Sequence, residues 1–228
     1  MKNNYTHIAV ILDRTGSMES IRDDTIGGFN AFLNSQKAEP GLASLTLVQF
    51  DSQDPYEIVH KFKPLAEVPE LTRETFVPRA STPLLDAMGR GINDLEKSLA
   101  DMAEDEKPSR VVMVFITDGQ ENASREFRKD QIEKMIQEKQ EKSAWQFLFL
   151  SADLAGIGDA LAAGISPASA IAFDRNRGGV SAAWDSVSRS ISNYRAGRKE
   201  DTSFTDEDRA QQDIEKKKKR NTEQGETP

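Results

Sequence analysis

Residues 7–17 read HIAVILDRTGS, and residues 111–119 read VVMVFITDG. Each is a short apolar run that ends in a polar turn built on an aspartate, Asp13 or Asp118. An unbroken apolar run is what a strand buried on both faces requires, because neither face of it meets water. Two such runs imply a parallel sheet covered by helices on both sides. In open sheets of that kind, ligands bind beyond the carboxyl ends of the strands. Both aspartates fall at that position.

The neighbouring segments agree. Leu45 to Phe50 (LTLVQF) and Trp145 to Leu150 (WQFLFL) are two further buried strands. Tyr56 to Phe62 (YEIVHKF) alternates, and only about five residues separate it from the preceding strand. That is hairpin distance, so it is expected to pair antiparallel at an edge. Ser169 to Phe173 is expected as a last edge strand. Helical spacing of apolar residues covers Glu19 to Lys37, Leu84 to Met102, Glu126 to Lys142, Asp153 to Ala163 and Val180 to Arg195. Strands alternating with helices predict a Rossmann-like three-layer α/β/α sandwich, its central sheet mostly parallel with one antiparallel edge strand.

The chain has 228 residues, of which 37% are hydrophobic and 30% charged, with a formal net charge of -8. This suits one domain, assigned here to residues 1–197, followed by a charged tail over 198–228 that is expected to be disordered. The acidic balance argues against nucleic acid as the partner, since neutralising phosphate needs clustered Lys and Arg. One such cluster, Lys216 to Arg220 (KKKKR), has no aromatic neighbours to stack bases and reads as a solvated run. No apolar stretch approaches the roughly 18 residues of a membrane span, and the N-terminus lacks a signal-peptide pattern. A cytoplasmic location is expected. There are no cysteines and only two histidines, His7 and His60. Thiolate zinc sites are therefore excluded, and any metal should be a hard cation held by oxygen.

Oxygen donors gather at three strand or helix mouths. Asp13, Thr15 and Ser17 follow the first strand, Ser81 and Thr82 precede the helix at Leu84, and Thr117 and Asp118 follow the most apolar strand. Alternate residues of a tight loop can point inward, and Gly16 lets that loop turn. Two carboxylates nearly neutralise a divalent ion and leave a third acidic ligand, from outside, attractive to it.

In this arrangement Asp13-Arg14-Thr15-Gly16-Ser17 resembles the Asp-x-Ser-x-Ser motif of the metal-ion-dependent adhesion site of von Willebrand factor type A (VWA) domains. Thr82 and Asp118 are similar to the threonine and aspartate of that family's second and third metal loops. Thr15 stands where the family motif usually has serine. The likeness covers residues 5–196, and the wording of the motifs is closest to bacterial or phage intracellular members. It implies a divalent metal, Mg²⁺ first, with Mn²⁺ or Ca²⁺ as alternatives, on Asp13, Thr15, Ser17, Thr82 and Asp118. It also implies a partner protein whose Asp or Glu completes the coordination. ATPases of the AAA+ class are among the partners of the family. A switch of direct ligation between Thr82 and Asp118, with movement of the last helix, is a further implication.

Two other functions compete with a binding module. One is a metal-dependent phosphatase of the haloacid-dehalogenase kind. Such enzymes carry a second aspartate two residues after the first, where this chain has Thr15, and no glycine-rich phosphate loop is present. The other is a scaffold whose metal only stabilises the fold. No nucleophile–base pair is evident beside Ser17 or Ser81, so catalysis is not expected. Around the site, Asp86 and Asp23 read as solvated helix residues. Arg14 and Glu121 read equally as partner-facing or as merely exposed. His7, His60, Trp145 and Trp184 read as packing residues.

Overall fold

The computed structural model describes residues 2–213. In chain order the elements are β1 (Lys2–Asp13), α1 (Arg22–Ala38), β2 (Leu42–Phe50), β3 (Glu57–Pro64), α2 (Leu84–Ala100), β4 (Pro108–Thr117), α3 (Lys129–Ser143), β5 (Gln146–Ser151), α4 (Leu154–Ala162), β6 (Ala170–Ala172) and α5 (Arg177–Arg195). The strands form a six-stranded sheet in the order β3-β2-β1-β4-β5-β6. All neighbours pair parallel except β2 and β3, which form the antiparallel edge pair. The architecture is the expected three-layer sandwich, with β1 and β4 at its centre.

Side chains of a strand alternate between faces, and the two sides of β1 show it. Ile8, Val10 and Leu12 pack with Phe29, Phe32, Trp184, Val187 and Ile191 under α1 and α5. Ala9 and Ile11 pack with Met88, Ile92, Ile132 and Ile136 under α2 and α3. The α1–α5 contact is close because Gly28 carries no side chain: a Cβ there would stand 2.1 Å from Trp184 Cδ1. Trp184 in turn meets Phe29 edge-on at 5.7 Å between centroids. Trp145 and Trp184 are both core residues, 5% and 2% exposed.

Register sets the functional edge. Asp13 is opposite Phe50 on β2, and Leu12 is opposite Ile116 on β4. The chain therefore leaves β1 and β4 at the same level, and the loops after both strands share one edge of the sheet.

His7 is fully buried on β1, stacked on Phe62 at 3.8 Å, with Nδ1 2.8 Å from Ser44 Oγ. Burial pushes its pKa down to about 3. The native state thus keeps His7 neutral where the unfolded chain, with an ordinary value near 6.5, takes up a proton. Between those values the unfolded state binds more protons, so stability falls as pH falls through the window. For His7 alone the expected loss is about 2 kcal/mol between pH 7 and pH 5. Urea melts in chelator should show His7→Gln starting less stable but losing less over that range. An unchanged slope would contradict this account.

The packed body continues past Arg198, where the charged composition led us to place the start of a disordered tail. Residues 206–213 are helical, and Thr202, Phe204, Asp208 and Gln212 are buried. Phe204 N donates to Ala168 O at 2.8 Å, and Arg209 reaches Pro167 O at 2.7 Å and Ala170 O at 3.2 Å. Asp208 pairs with Arg189 of α5 at 2.6 Å. Asp208 and Arg209 are partnered, and one phenylalanine supplies the apolar anchor. The run Lys216 to Arg220 lies outside the described residues. Among the described residues no helix is long and apolar enough to cross a membrane.

Candidate metal centre at the carboxyl edge of the sheet

Asp13 is the last residue of β1, and its carboxylate is fully buried. Oδ1 accepts from Thr15 N at 2.7 Å, which bends the chain away from the sheet. Oδ2 accepts from Thr117 Oγ1, at the end of β4, at 2.6 Å. Residues Gly16–Ile21 then form a 3-10 turn, with Met18 N bonded to Thr15 O. This turn brings Ser17 back over the site. Its Oγ lies 3.2 Å from Thr15 Oγ1 and donates to Asp118 Oδ1 at 2.6 Å.

The second loop is tied to the first by backbone bonds. Gly16 N donates to Ala80 O at 3.0 Å and Arg79 N to Arg14 O at 2.9 Å. Ala80 has φ +60°, a left-handed conformation that costs a side-chain-bearing residue free energy and that these bonds hold in place. The second loop is tied to the third through Asn122, which accepts from Thr82 N at 2.8 Å and donates its own N–H to Thr82 O at 3.1 Å. Gly119 marks where the loops meet: a Cβ there would lie 3.6 Å from Thr82 Oγ1 and 3.7 Å from Ser17 Oγ. The fold thus brings Asp13, Thr15, Ser17, Thr82 and Asp118 together from three separate loops. Ser17 is exposed and the other four are buried, so the cluster opens to solvent on one side.

Its electrostatics are those of a site short of positive charge. Burial pushes the Asp13 pKa up to about 7 against the hydrogen bonds from Thr117 and Thr15, and the neighbouring Asp118 carboxylate adds to the rise. Burial likewise raises Asp118, opposed by the Ser17 bond and by Arg175. Asp118 Oδ2 is buried and accepts no hydrogen bond among the described residues. A buried carboxylate oxygen without a donor is costly, and a hard cation would satisfy it. Two desolvated carboxylates with three hydroxyls are a donor set that fits such an ion. Among the described residues no group of three His, Cys, Asp or Glu side chains could hold a metal, so an ion at this edge depends on the hydroxyls.

Several residues around the cluster have roles that the sequence reading did not assign. Arg14 is buried, neither partner-facing nor exposed. Its Nε and Nη2 bond Asp51 Oδ2 at 3.0 and 2.8 Å, its Nη1 bonds Gln49 at 3.3 Å, and it also pairs with Glu57. Asp51, absent from the candidate residues, is fully buried and also holds Arg79 at 2.9 Å and the Gln53 and Asp54 amides. Its signal was available, since it follows the run LTLVQF as Asp13 follows HIAVIL.

Glu121 accepts from Leu85 N at the start of α2, from Ala123 N and from Ser124 N and Oγ, all within 2.9 Å. Asp86 is buried rather than solvated, and accepts from the amides of Arg125, Glu126 and Phe127 at 2.8–2.9 Å. Both carboxylates shape the third loop. Asp23 is exposed and paired with Arg73. Arg175, before α5, was also missed. Its Nε lies 3.5 Å from Asp118 Oδ2, and its guanidinium donates to the Asp118 carbonyl.

No protein-family model matches the chain, and no curated protein matches it. Solved structures do share its fold. The manganese-loaded TRAP protein of Plasmodium vivax superposes with a TM-score of 0.54 at 17% identity, covering 77% of this chain and 71% of its own. Proximal thread matrix protein 1 of the mussel byssus, with a zinc-occupied MIDAS motif, gives 0.56 at 12% identity, covering 82% of this chain and 46% of its own. A von Willebrand factor type A protein from Catenulispora acidiphila gives 0.53 at 9% identity, covering 85% and 43%. The chain spans less than half the length of the last two. It therefore has a VWA-like fold.

Proposed function

We propose that this chain is a metal-dependent protein-binding module that acts in the cytoplasm. A divalent cation, Mg²⁺ in the first instance, would be held by Asp13, Thr15, Ser17, Thr82 and Asp118. Held there, it would offer a position for an Asp or Glu side chain from a partner protein. An ATPase of the AAA+ class is one partner consistent with the motif resemblance.

One observation carries the reading. Two desolvated carboxylates and three hydroxyls from three loops converge at the carboxyl edge, and one buried oxygen, Asp118 Oδ2, has no donor. The zinc-occupied MIDAS of the mussel protein and the manganese of the Plasmodium protein, on the same fold, are consistent with it.

Binding is favoured over catalysis by what surrounds Ser17. Its hydroxyl donates to Asp118, and His7, bonded to Ser44, and His60, on β3, are placed elsewhere. A serine nucleophile needs an adjacent base that is free to take its proton, and a bound cation would occupy Asp118, the carboxylate that the Ser17 hydroxyl meets. We infer that no bond is made or broken here.

Affinity capture from the source cell's lysate tests the proposal, with the protein in excess Mg²⁺, the protein in chelator, and Asp13→Ala in Mg²⁺. The expected result is a protein retained only by the wild type with Mg²⁺. Equal capture under all three conditions would leave the metal a purely structural role.

A further inference from the structure

We infer that Arg175 is a built-in counter-cation for Asp118 that competes with the divalent ion for this carboxylate. The inference rests on the metal-binding reading above and adds a regulatory residue to it.

The backbone at Arg175 is fixed on both sides. Asn176 N bonds Asp174 O at 2.7 Å, and the Asn176 side chain caps α5 by accepting from Gly179 N at 2.9 Å. From this anchored position the side chain crosses to the end of β4. One guanidinium N–H is donated to the Asp118 carbonyl, and Nε stands 3.5 Å from Oδ2. Oδ2 is the same oxygen that accepts no hydrogen bond. The contact with it is one of charge, without a directional bond, and so is readily given up.

Asp118 has its other oxygen occupied by the Ser17 hydroxyl. A cation binding Asp118 therefore meets a positive charge already beside the free oxygen. Like charges at such separations repel appreciably even with substantial screening. The guanidinium can leave without loss of solvation, since the Arg175 side chain is 42% exposed. A second carboxylate also attracts it. Asp153, at the start of α4, is held below its ordinary pKa first by the Gln120 hydrogen bond, and Arg175 contributes to that lowering. Arg175 thus feels the charge of two carboxylates, and a bound ion would take Asp118 from it.

Removing the charge should consequently tighten metal binding. Mn²⁺ alone is the probe, titrated into the full 228-residue chain and followed by the loss of free-ion EPR signal. Arg175→Gln is expected to bind roughly 10-fold more tightly than the wild type. Arg175→Lys, which keeps the charge, should stay close to wild type. A second readout is the ¹⁵Nε resonance of Arg175 in the wild type, which should shift as Mn²⁺, or diamagnetic Mg²⁺, is added.

Equal or weaker binding by Arg175→Gln, with the wild type binding normally, would overturn the inference and leave the metal site standing. Arg175 would then support Asp118 as a ligand. Binding by Arg175→Gln where the wild type shows none would support the inference in its strongest form. Binding by neither, up to millimolar ion, would overturn the metal-binding reading and the inference with it.

Discussion

Asp86→Ala is expected to destabilise the fold by about 3 kcal/mol, a fall in Tm of about 6–12 °C. The Asp86 carboxylate accepts three consecutive amide protons, from Arg125, Glu126 and Phe127, and is itself 3% exposed. Hydrogen bonds to a charged acceptor are stronger than neutral ones, and losing them leaves three N–H groups to find water. The loop they shape also carries Asn122 and Glu121, which hold Thr82 N and Leu85 N. The damage should therefore spread to the proposed metal site, and any Mg²⁺ affinity there should fall alongside stability. Asp86→Asn keeps one acceptor oxygen and should lose less. Thermal melts with and without Mg²⁺ check all three proteins. A change within about 0.5 kcal/mol for Asp86→Ala, the ordinary range of surface substitutions, would contradict the role assigned to it.

Asp13→Asn is expected to separate metal binding from folding. The carboxamide is close in shape to the carboxylate and can still accept from Thr15 N. A neutral ligand in place of one of only two carboxylates removes half the negative charge facing the ion. The wild type should gain stability from Mg²⁺ as the logarithm of its concentration over Kd, about 2.7 kcal/mol at 100 times Kd. The variant should gain nothing measurable at the same concentration. In chelator the order should reverse or level, because the wild type buries a charge that nothing neutralises. Calorimetric melts of both proteins in chelator and in Mg²⁺ give the comparison. A variant that still responds to Mg²⁺ like the wild type would place the ion elsewhere.

The apolar runs made the sheet legible, because a strand buried on both faces leaves no ambiguity in its pattern. HIAVIL and VVMVFI fell at the centre of the sheet, and the short spacing before YEIVHKF correctly implied the antiparallel edge. Helix starts were less legible. Residues 126–128 have helical composition, yet α3 begins only at Lys129, because Arg128 is extended as its N-cap while Asp86 holds the amides of residues 125–127 in the loop before it. Likewise α1 begins at Arg22, after a 3-10 turn that serves the site.

The five candidate residues were picked from sequence because each lies just after a strand or just before a helix, and the fold brings these loops to one edge of the sheet. What sequence could not supply was the partner of each charge. Arg14 is adjacent to Asp13 in the chain, but its contact with Asp51 depends on the β1–β2 register. Arg175 is 57 residues from Asp118 and meets it only because β4, β5 and β6 lie side by side. Such pairings follow from topology, and topology is fixed by the whole core.

The central claim is that these five side chains hold a divalent ion, and anomalous diffraction from crystals grown in Mn²⁺ tests it most directly. The account predicts one strong peak per chain among the oxygens of Asp13, Thr15, Ser17, Thr82 and Asp118. The nearest of these should lie at about 2.1 Å, the remainder being bridged by water. No peak at this edge at saturating Mn²⁺, or a peak that persists in Asp13→Asn, would contradict it.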